Sequence, residues 1–353
     1  MAAQTSYALL CLENPLLDIQ GHGDRAMIAE YGMKLNDTIL VEDNPKQLEL
    51  YDDLIKNHDA KLIAGGGAQN TARGAQYMLP PNSTLYIGCV GDDEYADILR
   101  KACKEQGVHV EYRVDPDHPT GRCGVIITDH HRTMCTNLAA ANQYKLEHLQ
   151  QPQIWSLVES SRVYYVGGYH LTVCPPAAMA LATHAAKTNK PFCLGLSAGF
   201  IPQFFKDQLA EVLPYTDYLF GNENEAKTWA ENNGVKADAS IPEIAKALAN
   251  VDKVNKQRPR IVIITQGTDP TIVATGGTGE VSIQEFPVLP IEPNLIVDTT
   301  GAGDAFAAGF LAGIVLDDPI DVCVKKGQWL AKLSLQELGP SYPFPKRTYG
   351  QDN

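Results

Sequence analysis

Short runs that are apolar at nearly every position recur along the chain: YALLCL, TLYIGCV, VYYVGG, PFCLGLS, YLFGN, RIVIITQG and LIVD. Glycine, proline or a polar turn bounds most of them, which suits strands buried on both faces. Between them lie longer stretches with helical spacing, among them EYADILRKACKEQG and AAMALATHAAKT. Strands and helices in alternation predict an α/β fold, a central and mostly parallel sheet flanked by helices on both faces. In such sheets the working residues lie beyond the carboxyl ends of the strands, so the residues that follow each apolar run carry the most weight.

Two stretches break this rhythm. From about residue 20 to 62 the chain is polar and charged and contains Pro45, and from about 120 to 142 it carries GRCGVIITDHHRTMCTNLAA, a hairpin pattern with its turn near Asp129 and His130. Together they predict a smaller α/β lid domain of residues 19–62 and 118–141. The remaining segments, 1–18, 63–117 and 142–353, predict one large domain with room for a deep cleft.

Composition narrows the function classes. The formal charge is -13, with 42 acidic against 29 basic residues, so there is no electrostatic footprint for nucleic acid. No apolar stretch approaches the roughly 20 residues of a membrane span. The first residues lack a basic start, and Glu13, Asn14 and Pro15 interrupt the early apolar run, so no signal peptide is predicted. A cytoplasmic protein is expected, with a nuclear fraction left open. The eight cysteines show no C-x-x-C pair and read as reduced core thiols; His130 and His131 adjoin Cys135 without a second ligand pair for zinc.

The densest chemistry lies in NLIVDTTGAGDAFAAGFLAGIVL, residues Asn294 to Leu316, which predicts a strand, a glycine-rich turn and a helix. In the turn Gly301, Ala302 and Gly303 let successive amides point into one volume, and the helix start adds unpaired N–H groups and its positive dipole end. Asp304 then sits in the first helical turn beside this anion hole. A carboxylate there is a suitable base for a hydroxyl attacking a phosphoryl group, worth roughly 10²- to 10⁴-fold in rate. Alternatively, the same aspartate merely complements the dipole of a buried helix.

Three further turns follow apolar runs. In AGGGAQNTA, Gly65 and Gly66 permit close approach of a sugar, and Asn70 offers a donor and an acceptor to hydroxyls. In GNENE, Asn222 and Glu225 have the spacing of a helix cap. The turn from Thr265 to Gly267 ends another strand.

DTTGAGDAFAAGFL resembles the carboxyl-terminal signature of the ribokinase-like (PfkB) sugar and nucleoside kinases. That resemblance implies a ribokinase-like fold, Asp304 as catalytic base and the Gly301–Gly303 turn as anion hole. It also implies ATP as phosphoryl donor, Thr265, Gly267, Thr300 and Gln328 on the nucleotide side, and Mg²⁺ coordinated by Asn222 and Glu225 through water. Within the family, ENPLLDI, LNDTIL, TNLAAAN, LTVCP and LFGNENEA are similar to the adenosine kinases over essentially the whole chain. This implies Asp18 on the two ribose hydroxyls, with Asn14, Gly65, Gly66 and Asn70 beside it. Leu40, Met134 and Tyr169 become apolar walls for a purine, and Arg132 an arginine that reaches the phosphates on lid closure. The implied partners are adenosine and ATP, acting on a monomer.

Thr38, Gly67 with Ala68, His170, Thr300 and Gln328 depart from the common adenosine-kinase pattern, and all fall on the base- or nucleotide-recognition side. Two other readings stay open: a related kinase acting on another nucleoside or a free sugar, and a non-catalytic nucleoside-binding protein. No Walker G-x-x-x-x-G-K-[ST], H-R-D or D-F-G sequence is present, which sets aside P-loop and protein kinases.

Overall fold

The computed structural model describes residues 6–35, 37–41, 45–128, 131–277 and 279–351. In chain order its strands are Leu9–Leu12 (β1), Leu16–His22 (β2), Thr38–Leu40 (β3), Lys61–Gly65 (β4), Thr84–Gly91 (β5), His109–Asp115 (β6) and Arg122–Thr128 (β7). His131–Asn137 (β8), Val163–Val166 (β9), Phe192–Gly195 (β10), Tyr218–Asn222 (β11), Arg260–Gln266 (β12), Asp269–Gly276 (β13) and Ser282–Phe286 (β14) follow. Nine of them form one sheet in the order β14-β13-β12-β11-β10-β9-β1-β5-β6. Every pairing from β12 through to β6 is parallel; only β13 and β14 turn antiparallel, as a hairpin at one edge. β1, β5, β9 and β10 are buried at every position, as uniform apolar runs with helices on both faces require.

The other five strands make a second sheet, β3-β8-β7-β2-β4, drawn from the two stretches that broke the sequence rhythm. β7 and β8 pair antiparallel, Thr128 opposite His131, so the pattern read as a hairpin forms one; its tip residues Asp129 and His130 lie outside the described residues. The chain crosses from the large sheet to the small one over only Glu13, Asn14 and Pro15, between β1 and β2. That short passage fixes the two sheets against each other at the point where β1 ends.

Small residues set the helix packing behind the cleft. The helix Ala302–Val315 is buried from Ala305 onward. A Cβ at Gly309 would stand 2.4 Å from the carbonyl oxygen of Lys326, on the neighbouring helix Ile320–Ser334. A Cβ at Gly74, on helix Gly67–Met78, would meet Ala308 Cβ at 2.7 Å. These approaches bring the starts of two helices, distant in sequence, side by side. Phe310 is fully buried in the same core, where a large apolar side chain contributes about 1.5–3 kcal/mol.

The run LIVD is not a strand. Pro293–Leu295 is a 3₁₀ turn, and the next residues are extended but bond to the end of helix Ile320–Ser334, Val297 N–H donating to Leu335 O at 2.8 Å. Pro290 and Pro293 remove two backbone donors just upstream, which suits a loop over a ladder. Leu295, Ile296 and Val297 consequently lie exposed. All eight cysteines are buried and free. Among the described residues no helix is long and apolar enough to cross a membrane.

Candidate active site

Where the carboxyl ends of β1, β9, β10, β11 and β12 meet the second sheet, a cavity of about 320 Å³ opens. The helix Ala302–Val315 points its start into it. Gly301 caps that helix at φ +76°, a left-handed conformation that glycine adopts without a steric cost. Thr300, Gly301, Gly303 and Asp304 line the cavity; Ala302, between them, does not.

Asp304 is held by the neighbouring helix Gly67–Met78. Asn70 Nδ2 donates to its Oδ2 at 3.0 Å, and Thr71 Oγ1 reaches its backbone oxygen at 3.4 Å. Burial raises its pKa to about 7, with the Asn70 hydrogen bond opposing. Such a group releases its proton near neutrality, which suits a general base.

Asp18 opens into the same cavity from β2. It is 7% exposed, and burial, then the charge of Asp304, raise it to about 7, with Arg73 opposing. Its carboxylate rests on the backbone of Gly65, where an added Cβ would lie 2.4 Å from its Oδ1. Asn14 also lines the cavity, its Nδ2 donating to Tyr169 O at 3.3 Å and its Oδ1 buried without a partner. Gly66 lines it beside Asn14, while Gly65 and Asn70 act from behind, through Asp18 and Asp304.

The apolar side comes largely from the second sheet. Thr38 pairs with Met134 in register, and Thr38, Leu40 and Met134 face the cavity together with Tyr169 and Phe200 of the large domain. Tyr169 and Phe200 rings lie 5.9 Å apart. His170 takes no part: it is fully buried behind, edge-on to Tyr144, with its pKa lowered to about 3 by burial.

On the opposite rim Asn222 and Glu225 form a full capping box. Asn222 Oδ1 accepts from the N–H groups of Asn224 and Glu225, and Glu225 accepts from Asn222 N–H and Nδ2 at 3.0 and 2.8 Å. Both nevertheless line the cavity, and Glu225, raised to about 7 chiefly by burial, keeps a carboxyl there. Among the described residues no group of three or more His, Cys, Asp or Glu could cage a metal. The donor set fits a Mg²⁺ ion that keeps its water and takes one carboxylate's charge from the protein, and does not fit a dehydrated ion in a closed cage.

Thr265 lines the cavity, whereas Gly267, at φ +59° with open space around it, and Gln328, bonded to Thr271 and Phe286, lie outside its lining. Arg132 is also outside. Its guanidinium pairs with buried Asp298 at 3.2 Å, and Asp298 in turn accepts from Thr300 N–H at 2.9 Å and Gly339 N–H at 3.0 Å. The hairpin, the glycine turn and the carboxyl-terminal segment therefore converge on one carboxylate.

Several cavity residues had no role in the sequence reading. Glu13 lies at the end of β1, Tyr165 on β9, and Ser197 beyond β10 at φ +66°, unusual for a residue with a side chain. For Glu13 and Ser197 the position past a strand end was the available signal; Tyr165, inside β9, carried none. Asp298 stood inside the signature, but nothing in its spacing announced Arg132.

A family model described as pfkB family carbohydrate kinase matches residues 25–347. The chain belongs to that family. Among pfkB family relatives, the adenosine kinase of Schizosaccharomyces pombe is 47% identical over 347 residues, covering 98% of this chain and 99% of that one. The adenosine kinase of Saccharomyces cerevisiae is 42% identical, covering 97% and 99%. A crystal structure of Anopheles gambiae adenosine kinase, in complex with P1,P4-di(adenosine-5) tetraphosphate, superimposes with a TM-score of 0.89 at 42% identity, covering 95% of this chain and 98% of that one. Adenosine kinase from Schistosoma mansoni in complex with adenosine and AMP gives 0.87 at 32%, covering 95% and 97%. The mostly parallel α/β sheet predicted from the strand pattern, and the ribokinase-like fold that the resemblance implied, are the ones observed.

Proposed function

We propose that this protein is an adenosine kinase, moving the γ-phosphoryl group of ATP to the 5′-hydroxyl of adenosine to give AMP and ADP. One observation carries the reading: the carboxylates of Asp304 and Asp18, from opposite ends of the chain, open into one cavity that the start of helix Ala302–Val315 also lines. Near-full-length similarity to adenosine kinases supports the choice of nucleoside.

Asp18 accepts hydrogen bonds from both ribose hydroxyls, which a single carboxylate can do for a cis-diol. Asn14 Oδ1 takes a further donor, and the base lies among Leu40, Met134 and Tyr169. This directs the 5′-hydroxyl toward Asp304. Its proton passes to the Asp304 carboxylate as the new O–P bond forms and the bond from γ-phosphorus to the bridging oxygen of ADP breaks. The amides of the Gly301–Gly303 turn stabilise the charge on the transferring group. ATP lies on the side of Thr265, Thr300 and Asn222. Mg²⁺ would be held through water by Glu225 and Asn222, and when bound neutralises phosphate charge.

The lid, residues 19–62 and 118–141, carries most of the second sheet and closes over the site, with Arg132 releasing Asp298 toward the phosphates on closure. A panel of adenosine, inosine and ribose with Mg-ATP tests the reading by ADP release. Adenosine should be preferred by at least about tenfold in kcat/KM, a difference of about 1.4 kcal/mol. Preference for ribose, or tight adenosine binding with no ADP formed, would replace it.

A further inference from the structure

We propose that Glu13 is a positioning residue for the transfer, a side chain that caps the start of helix Gly67–Met78 from outside it and so holds that helix, and Asn70 with it, in register with Asp304. This rests on the kinase reading above. Glu13 directly follows β1 and is 1% exposed. Its Oε2 accepts from Ala68 N–H at 2.7 Å. The residue at that helix's own cap position, Gly66, has no side chain to offer, so Glu13 performs the capping from 55 positions away. Two residues along the same helix, Asn70 donates to Asp304.

The surrounding backbone is cut to fit this side chain. A Cβ at Gly167, just past β9, would fall 1.7 Å from Glu13 Oε1. One at Gly67 would touch Glu13 Oε2 at 3.0 Å and Asp304 Oδ1 at 3.3 Å, so the two carboxyl groups flank a single narrow gap. Ser197 Oγ donates to Oε1 at 3.5 Å and itself accepts from Gly168 N–H at 2.7 Å.

The groups facing Glu13 are Asp304 from helix Ala302–Val315, Tyr86 from β5, Tyr165 from β9, Tyr169 beyond β9 and Cys11 from its own strand. They are one carboxylic acid, three phenols and a thiol. Burial raises Glu13 to about 8, Ala68 N–H opposes, and Asp304 adds to the rise. Near neutrality burial and the Asp304 carboxyl therefore favour the protonated form of Glu13, with the hydrogen bonds from Ala68 N–H, Tyr169 N–H and Ser197 opposing. Once ionised, it sets a second negative charge beside the base and the arriving phosphoryl group.

The test compares the full chain with Glu13→Gln, which mimics the neutral acid, and Glu13→Ala, over pH 5.5 to 9.5. The wild type should lose at least about fivefold in kcat between pH 7.5 and 9.5, while Glu13→Gln stays within about twofold. At pH 7 Glu13→Gln should keep kcat within about threefold and Glu13→Ala lose about tenfold or more, with KM for ATP unchanged in both. Infrared difference spectra at pH 7 should show a protonated-carboxyl band weaker in Glu13→Gln than in wild type. Coincident pH profiles, a Glu13→Gln as inactive as Asp304→Asn, or no infrared difference would each overturn the proposal. A wild type that releases no ADP with adenosine sinks the kinase reading instead, while the infrared comparison still reports on the Glu13 proton.

Discussion

Asn70 donates to the carboxylate of Asp304 at 3.0 Å across 234 positions of sequence, joining the first turns of two helices that pack through Gly74 and Ala308. Because this bond favours the charged form of Asp304, Asn70→Ala should raise the Asp304 pKa from about 7. The rising limb of kcat/KM against pH should move upward, and turnover at pH 7 should fall about tenfold or more. An unmoved limb would mean that Asn70 does not tune the proposed base.

Asp304→Asn keeps the shape of the site and removes the base. Turnover should drop about 10²- to 10⁴-fold while adenosine still binds, measured by calorimetry beside single-turnover kinetics. Near-normal turnover would remove Asp304 from the proposed role.

The same substitution should stabilise the empty protein. Unfolded, Asp304 loses its proton near pH 3.8; folded, it keeps it to about 7. Between those values the folded state binds more protons, so its stability falls as pH rises. The gain in Tm of Asp304→Asn over wild type should be absent below about pH 4 and grow steadily to pH 7. Comparing the two proteins cancels His170, whose lowered pKa works in the opposite direction. A gain independent of pH would contradict this.

Asp18 and Gly65 form one recognition unit. Asp18→Ala should raise KM for adenosine at least about tenfold, with KM for ATP nearly unchanged. Gly65→Ala should imitate it, since the new Cβ would lie 2.4 Å from the Asp18 carboxylate. Equal effects on both substrates would break the assignment to ribose.

Asp298 ties the hairpin to the glycine turn. Asp298→Ala leaves Arg132 and the N–H groups of Thr300 and Gly339 without their acceptor, and should cost about 3–5 kcal/mol in urea unfolding. Arg132→Ala should cost less stability and lower kcat/KM for ATP, its partner keeping two backbone donors. Were Arg132→Ala kinetically silent, a part for this arginine in closure would be withdrawn.

Periodicity and turn chemistry alone were enough to read a parallel sheet, the hairpin of β7 and β8, and a glycine turn that enters a helix with Asp304 in its first turn. These are local: a buried strand must be apolar along its length, and a glycine turn entering a helix exposes its amides whatever surrounds it. LIVD was misread because an apolar run reports burial preference and not a pairing partner, and here the partner is the end of a helix. Glu13 looked like an interruption in an apolar stretch, and Arg132 was expected, by resemblance, to reach the phosphates on lid closure. The first became a cap on a helix 55 residues away and the second an ion pair with Asp298. Side-chain environment is set by what the fold places opposite a residue, and burial beside a second carboxylate moves a proton affinity by several orders of magnitude. That is why residue types and spacing could single out Asp304, and the family resemblance Asp18, while the tertiary structure alone decided which groups hold them and in what electrostatic surroundings.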